Sequence, residues 1–238
     1  MKSIKKIMLV VGVILVTFTA TFAQRYRTAD VAVAFGKGFA PAFSYNQYYG
    51  KKFKYGFGVR LTVFNAGKTE FVTAPAKLTV GKESLAAFFE SQKINSQIDT
   101  FNLSKIQSNA LNLSLNLQYS ISRKFDVGFS IDAVGFSFGT KQSGLLTSKE
   151  SDTQGKSNNN KTFSSSPTSL NLLLIGDSDI GNLNSELYAR YWLNDKFAIR
   201  GGLGFQFIEY TTTQKVAFDN GRFRSKFLQP MLAVSYKF

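Results

Sequence analysis

The sequence predicts an all-β chain that folds as an eight-stranded antiparallel up-and-down transmembrane β-barrel over residues 24–238. Three observations predict it. Long stretches alternate apolar with small polar residues, the period of a strand and not of a helix. The connections between them are sorted by end, short at one and long at the other, as in single-chain membrane barrels. The two faces are also unequal. Bulky Leu and Phe fill one; Gly, Ser, Asn, Gln and Thr dominate the other, which suits lipid outside and a narrow, filled interior. A secreted β-sandwich or a lipocalin-like barrel would turn its apolar face inward.

Residues 1–23 read as a secretory signal peptide: Lys2, Lys5 and Lys6, an apolar run to about Phe18, then Thr21-Phe22-Ala23 before a cut that leaves Gln24. The run is too short to favour a membrane-spanning helix, which needs about 20 residues. The first strand, 29–36, puts Val31, Val33 and Phe35 on one face, and the second, 40–49, does so with Phe43, Tyr45 and Tyr49. Gly50-Lys51-Lys52 turns the chain into 53–64, where Phe53, Tyr55, Phe57, Val59, Leu61 and Val63 oppose Lys54, Gly56, Gly58, Arg60 and Thr62. The fourth strand, 110–121, is the cleanest, with Leu111 to Ile121 opposing Asn112, Ser114, Asn116, Gln118 and Ser120.

The fifth strand, 125–138, changes phase near Ala133-Val134, which predicts a β-bulge. The sixth, 183–193, places Leu187, Tyr191 and Leu193 outside and Glu186, Tyr188, Arg190 and Trp192 inside. The seventh, 196–213, directs Phe197, Ile199, Leu203, Phe205 and Phe207 outward. The eighth, 228–238, carries Leu228, Leu232, Val234, Tyr236 and Phe238 on one face and should close against the first. The long connections, about 66–109 and 140–181, are expected as external loops. Within them 82–94 has a weak helical pattern, 154–167 is rich in Ser and Asn and reads as flexible surface, and 170–175 is an apolar run suited to extending the sixth strand or packing over the mouth.

The chain has neither Cys nor His. That removes disulfides, thiol chemistry, soft-metal ligation and the usual general base, so no catalytic residue, metal or cofactor is expected. Asp177-Ser178-Asp179 reads as solvated carboxylates, and the sequon Asn160-Lys161-Thr162 is discounted in a bacterial-looking protein. The interior parity carries Lys54, Arg60, Arg190 and Arg200 against Asp126, Asp132 and Glu186. Near balance of sign predicts mutual pairing in a salt-bridged plug. The competing reading is a conduit lined by Arg60, Arg190 and Arg200.

The signal peptide, the Gly-rich first hairpin, the Lys- and Arg-bearing short turns and the Tyr236-Lys237-Phe238 ending together resemble the porin-like family of small, eight-stranded Gram-negative outer-membrane β-barrel proteins. The resemblance implies a place in the cell outer membrane and recognition of the terminal strand, through Tyr236 and Phe238, by the barrel-assembly machinery. The net charge is +14, or +11 once the signal-peptide lysines Lys2, Lys5 and Lys6 are set aside, and the excess gathers at the rims. Arg25, Arg27, Lys51, Lys52, Arg123, Lys124 and Lys196 lie at the expected periplasmic end; Lys215, Arg222, Arg224 and Lys226 surround the last external loop and are placed to reach lipopolysaccharide phosphates. No soluble face collects the charge, so nucleic acid is not an expected partner. The expected function is structural or surface-interacting, or accessory to an envelope or secretion complex; the alternative is porin-like passive transport of small solutes.

Overall fold

The computed structural model describes residues 25–80, 94, 98–148, 159–174 and 178–238. The signal peptide, most of the 82–94 helical pattern and Asp177 lie outside the described residues. Among the described residues thirteen strands are present: β1 (Arg25–Phe35), β2 (Gly38–Tyr49), β3 (Phe53–Ala66), β4 (Thr69–Thr73), β5 (Thr100–Leu103), β6 (Ile106–Ser120), β7 (Phe125–Phe138), β8 (Gln142–Thr147), β9 (Lys161–Pro167), β10 (Leu170–Leu172), β11 (Leu183–Trp192), β12 (Phe197–Thr212) and β13 (Arg222–Lys237). A short helix, α1 (Ala76–Val80), follows β4. The sequence reading of eight strands is therefore corrected. It recovers β1, β2, β3, β6, β7, β11, β12 and β13, but treats as loop the two connections that hold β4, β5, β8, β9 and β10.

All pairings are antiparallel, and the sheet closes on itself. β1 pairs β2, β2 pairs β3, β3 pairs β6, β6 pairs β7, β7 pairs β11, β11 pairs β12, β12 pairs β13, and β13 returns to β1. The closing seam sets Val31 opposite Val234 and Ala29 opposite Tyr236, as the terminal strand's parity predicts. Closure removes every strand edge from this ring.

The predicted bulge is real. Leu113 faces Val134 and Ser114 faces Asp132, so Ala133 has no partner on β6. Its carbonyl accepts instead from Leu173 N at 2.8 Å. The slip keeps Phe136 and Phe138 on the outer face, both about half exposed. Beyond the bulge, β10 takes over from β11 as the neighbour of β7, with Leu170 opposite Phe136 and Leu172 opposite Val134. The apolar run at 170 thus continues the line of the sixth predicted strand. The chain leaves that line after Leu172 and returns through Gly181, whose φ of +80° is open to glycine without strain. A Cβ there would meet the Leu170 carbonyl and Asn171.

The added strands build a second closed path at the long-loop end. β12 pairs β9, β9 pairs β8, β8 pairs β5, β5 pairs β4, and β4 pairs β13, which already pairs β12. β12 and β13 serve both rings because β12 runs to Thr212, as the sequence reading places it, and β13 starts at Arg222, six residues before the predicted strand. The polarity of the second ring is inverted. Phe71, Phe101, Leu103, Leu146, Tyr210 and Phe223 point inward and are wholly buried. The Ser- and Asn-rich stretch read as flexible surface contains β9, which is well-paired strand from Lys161 onward.

Candidate functional site

Alternation along each strand of the first ring sends small polar and charged side chains inward, and they stack in layers. At the short-turn end Lys54 pairs with Asp126 at 3.6 Å, and Trp192 Nε1 donates to the same carboxylate at 2.7 Å. Above them Tyr26 stacks on Tyr48 at 5.0 Å, and the Tyr48 and Tyr188 hydroxyls meet at 3.3 Å. The Arg190 guanidinium lies 5.3 Å from the Tyr188 ring and donates to Gln118 Oε1 at 2.8 Å. The Arg200 guanidinium lies over the same ring at 4.2 Å. Gly128 makes room for that ring, since a Cβ at this position would strike it.

The central layer is a chain of alternating charge. Asp132 holds Arg60 at 3.1 Å, Arg60 reaches Glu186 at 3.4 Å, and Glu186 takes Arg200 at 2.5 Å. Arg200 then holds Asp30 at 2.9 Å, and Asp30 holds Arg190 at 3.3 Å. Each of these six side chains is at most 3 % exposed. An isolated buried charge costs several kcal/mol, so opposite neighbours on both sides are what makes the layer tenable. Lys54 and Asp126 complete a set of four cations and four anions. All seven charges the sequence places inside are inside. Asp30 is missing from that set, although its parity, opposite Val31 and Val33, marks it as inward. Once it is counted the balance is complete.

Over the charges lies an asparagine layer. Asn112 Nδ2 donates to Asp132 at 2.7 Å, Asn171 Nδ2 donates to Asn112 Oδ1 at 2.7 Å, and Asn184 N donates to Asp132 at 3.0 Å. A void bounded by Thr62, Asp132, Asn184 and Gln206 measures about 10 Å³, the lower limit for one water molecule. Phe64 and Phe227 then pack at 4.8 Å across the interior, and the apolar core of the second ring follows. Tyr210 ties the two rings: its hydroxyl donates to Gln107 O at 2.8 Å and accepts from Gln107 N at 3.1 Å. Among the described residues, side chains follow one another through the interior from the charge layer to this apolar core.

At the short-turn end the ring instead opens into a bowl of about 630 Å³, bounded by Lys51, Lys54, Arg123, Trp192 and Lys237 among others. At the opposite rim the four predicted cations separate. Lys215 is exposed and pairs with Asp219 at 2.6 Å. Arg222 grips Glu209 with Nε at 2.7 Å and Nη2 at 2.9 Å. Arg224 is only 4 % exposed; it donates to the Ala74 carbonyl and covers the Phe207 ring at 4.8 Å. Lys226 is exposed and sits 5.9 Å from the same ring. Phe207, expected to face outward to lipid, is correspondingly buried at 3 %. Arg224 shares the outward parity but is folded over Phe207, so its charge is withdrawn from the surface.

No protein-family model matches the chain, and no curated protein sequence matches it. Solved structures with partial likeness include the Neisserial surface protein A, with 12 % identity over 92 % of this chain and 100 % of that one, at a TM-score of 0.39. A major outer membrane protein from Thermus thermophilus has 14 % identity over 90 % of this chain and 99 % of that one, at 0.37. The attachment invasion locus protein of Yersinia pestis, in complex with a heparin analogue, has 8 % identity over 92 % of this chain and 100 % of that one, at 0.33. Scores this low do not establish a common fold.

Proposed function

We propose that this protein is an integral outer-membrane β-barrel in which the eight strands of the first ring span the bilayer. The short turns then face the periplasm, the second ring stands outside the cell, and the interior is a plug. Its role is non-enzymatic: a structural or surface-interaction protein, or an accessory of an envelope or secretion complex. Tyr236 and Phe238 would engage the assembly machinery, and the exposed Lys215 and Lys226, with the part-exposed Arg222, are the rim groups open to lipopolysaccharide.

One observation carries the reading: the ring is apolar outside and charged inside. Val31 is 63 % exposed, Leu115 53 %, Leu187 60 % and Leu232 54 %, while Arg60, Arg190 and Arg200 are at most 2 % exposed. An apolar surface that runs round a whole closed sheet far exceeds the few hundred Å² a soluble monomer carries. Lipid satisfies it, and the closed ring leaves no open strand edge to the hydrocarbon. Refolded protein is expected to migrate differently on an SDS gel with and without boiling; identical mobility would count against the barrel.

Passive transport would need a path through the charge layer. In a planar bilayer the purified protein is expected to be silent. Steady channels that disappear in Arg200→Ala would replace the plug with the transport reading.

A further inference from the structure

The interior charges cancel, yet the bowl at the short-turn end does not share that balance. Its floor is the Lys54–Asp126 pair, which is neutral and braced by Ser120 and Trp192. Above this floor the lining contributes Lys51, Lys52, Arg123 and Lys237 against Asp195 and the Phe238 carboxylate, which still leaves cations in excess. Lys51 and Arg123 sit on two different turns, β2–β3 and β6–β7, while Lys237 comes from β13, so the cations converge from separate elements. Lys52 leans toward the outer face over Tyr119, at 5.3 Å. Lys237 lies 5.0 Å above the Trp192 ring and Lys54 5.2 Å above Tyr26, which gives the bowl aromatic walls with cations held at their faces.

We infer that this bowl is a binding site for a phosphate-bearing group that enters from the periplasmic side. About 630 Å³ is within the range of small-ligand pockets. Several cations gathered round one concave space focus potential on an anion more strongly than the same cations spread on a flat rim. Arg123 offers the planar fork that suits phosphate, and Lys51 and Lys237 add point charges. The interior beyond the floor is packed, so the bowl is blind and its occupant is retained at that mouth. The assignment rests on the barrel reading only for the side it faces.

Trp192 is the only tryptophan of the chain and lines the bowl, so its emission reports occupancy directly. The experiment uses the full chain refolded in zwitterionic detergent and titrated with inorganic pyrophosphate, beside matched sodium chloride. A second arm uses phosphatidylglycerol doped into phosphatidylcholine bicelles. A saturable change is expected, at least about tenfold weaker in the double variant Lys51→Glu, Arg123→Glu, whose sites lie in exposed turns. A response to pyrophosphate identifies a soluble ligand; a response confined to the doped bicelles identifies an anionic headgroup of the inner leaflet. No saturable change in either arm, or an equal change in the variant, overturns the inference. Boiled and unboiled gel lanes of the same samples show whether the barrel itself is formed, which keeps the two failures apart.

Discussion

Asp30 is the residue on which the interior turns. Its Oδ2 accepts from Arg200 at 2.9 Å, from Asn46 at 2.8 Å and from Arg190 at 3.3 Å, so one carboxylate closes the chain of charges. Removing one partner of a buried pair leaves an uncompensated charge, and here two guanidinium groups would be affected. Asp30→Ala is expected to destabilise the barrel by about 3–5 kcal/mol, read as a lower urea midpoint of Trp192 fluorescence. Asp195→Ala, in an exposed turn, should stay within about 0.5 kcal/mol. Equal effects would show that the central ion pairs do not hold the interior. The inward charges are legible because a period of two assigns each residue to a face. Asp30 is as legible as the rest by parity, but the apolar run around it masks its face. The withdrawal of Arg224 is not legible, because it depends on Phe207 and Ala74, far away in sequence.

Among the elements, the second ring departs most from what alternation reveals. The strands of the first ring announce themselves through long apolar faces; β7 even begins and ends where the pattern does, at Phe125 and Phe138. The strands that only the second ring uses are short. β5 has 4 residues and β10, on the first ring, only 3, too few to establish a period. β9 reads KTFSSSP, with one large apolar side chain, and becomes a strand because β8 and β12 flank it. Its pairing is therefore set by tertiary context. The inverted polarity predicts that this ring has a core of its own. Phe101 is wholly buried, 5.1 Å from Phe223. Phe101→Ala should cost about 3–5 kcal/mol locally, so that protease nicks the 66–109 and 140–181 segments faster while the heat-dependent gel shift persists. Loss of the gel shift would mean that the two rings form one cooperative unit; unchanged nicking would mean that the second ring lacks an independent core.

For the whole molecule, the two rings place opposite polarities on the outside of one continuous sheet. The first ring turns its large apolar side chains outward and the second buries them, with β12 and β13 running through both. The chain has no cysteine, so single cysteines can be introduced and spin-labelled without background. In lipid vesicles, labels at Leu115→Cys, Leu187→Cys and Val234→Cys on the first ring, and at Lys161→Cys on the second, separate the two environments directly. High oxygen and low nickel-chelate accessibility is expected at the first three sites, and the reverse at 161. Ready access of the nickel chelate to labels at 115, 187 and 234 would contradict the claim that this ring spans a membrane.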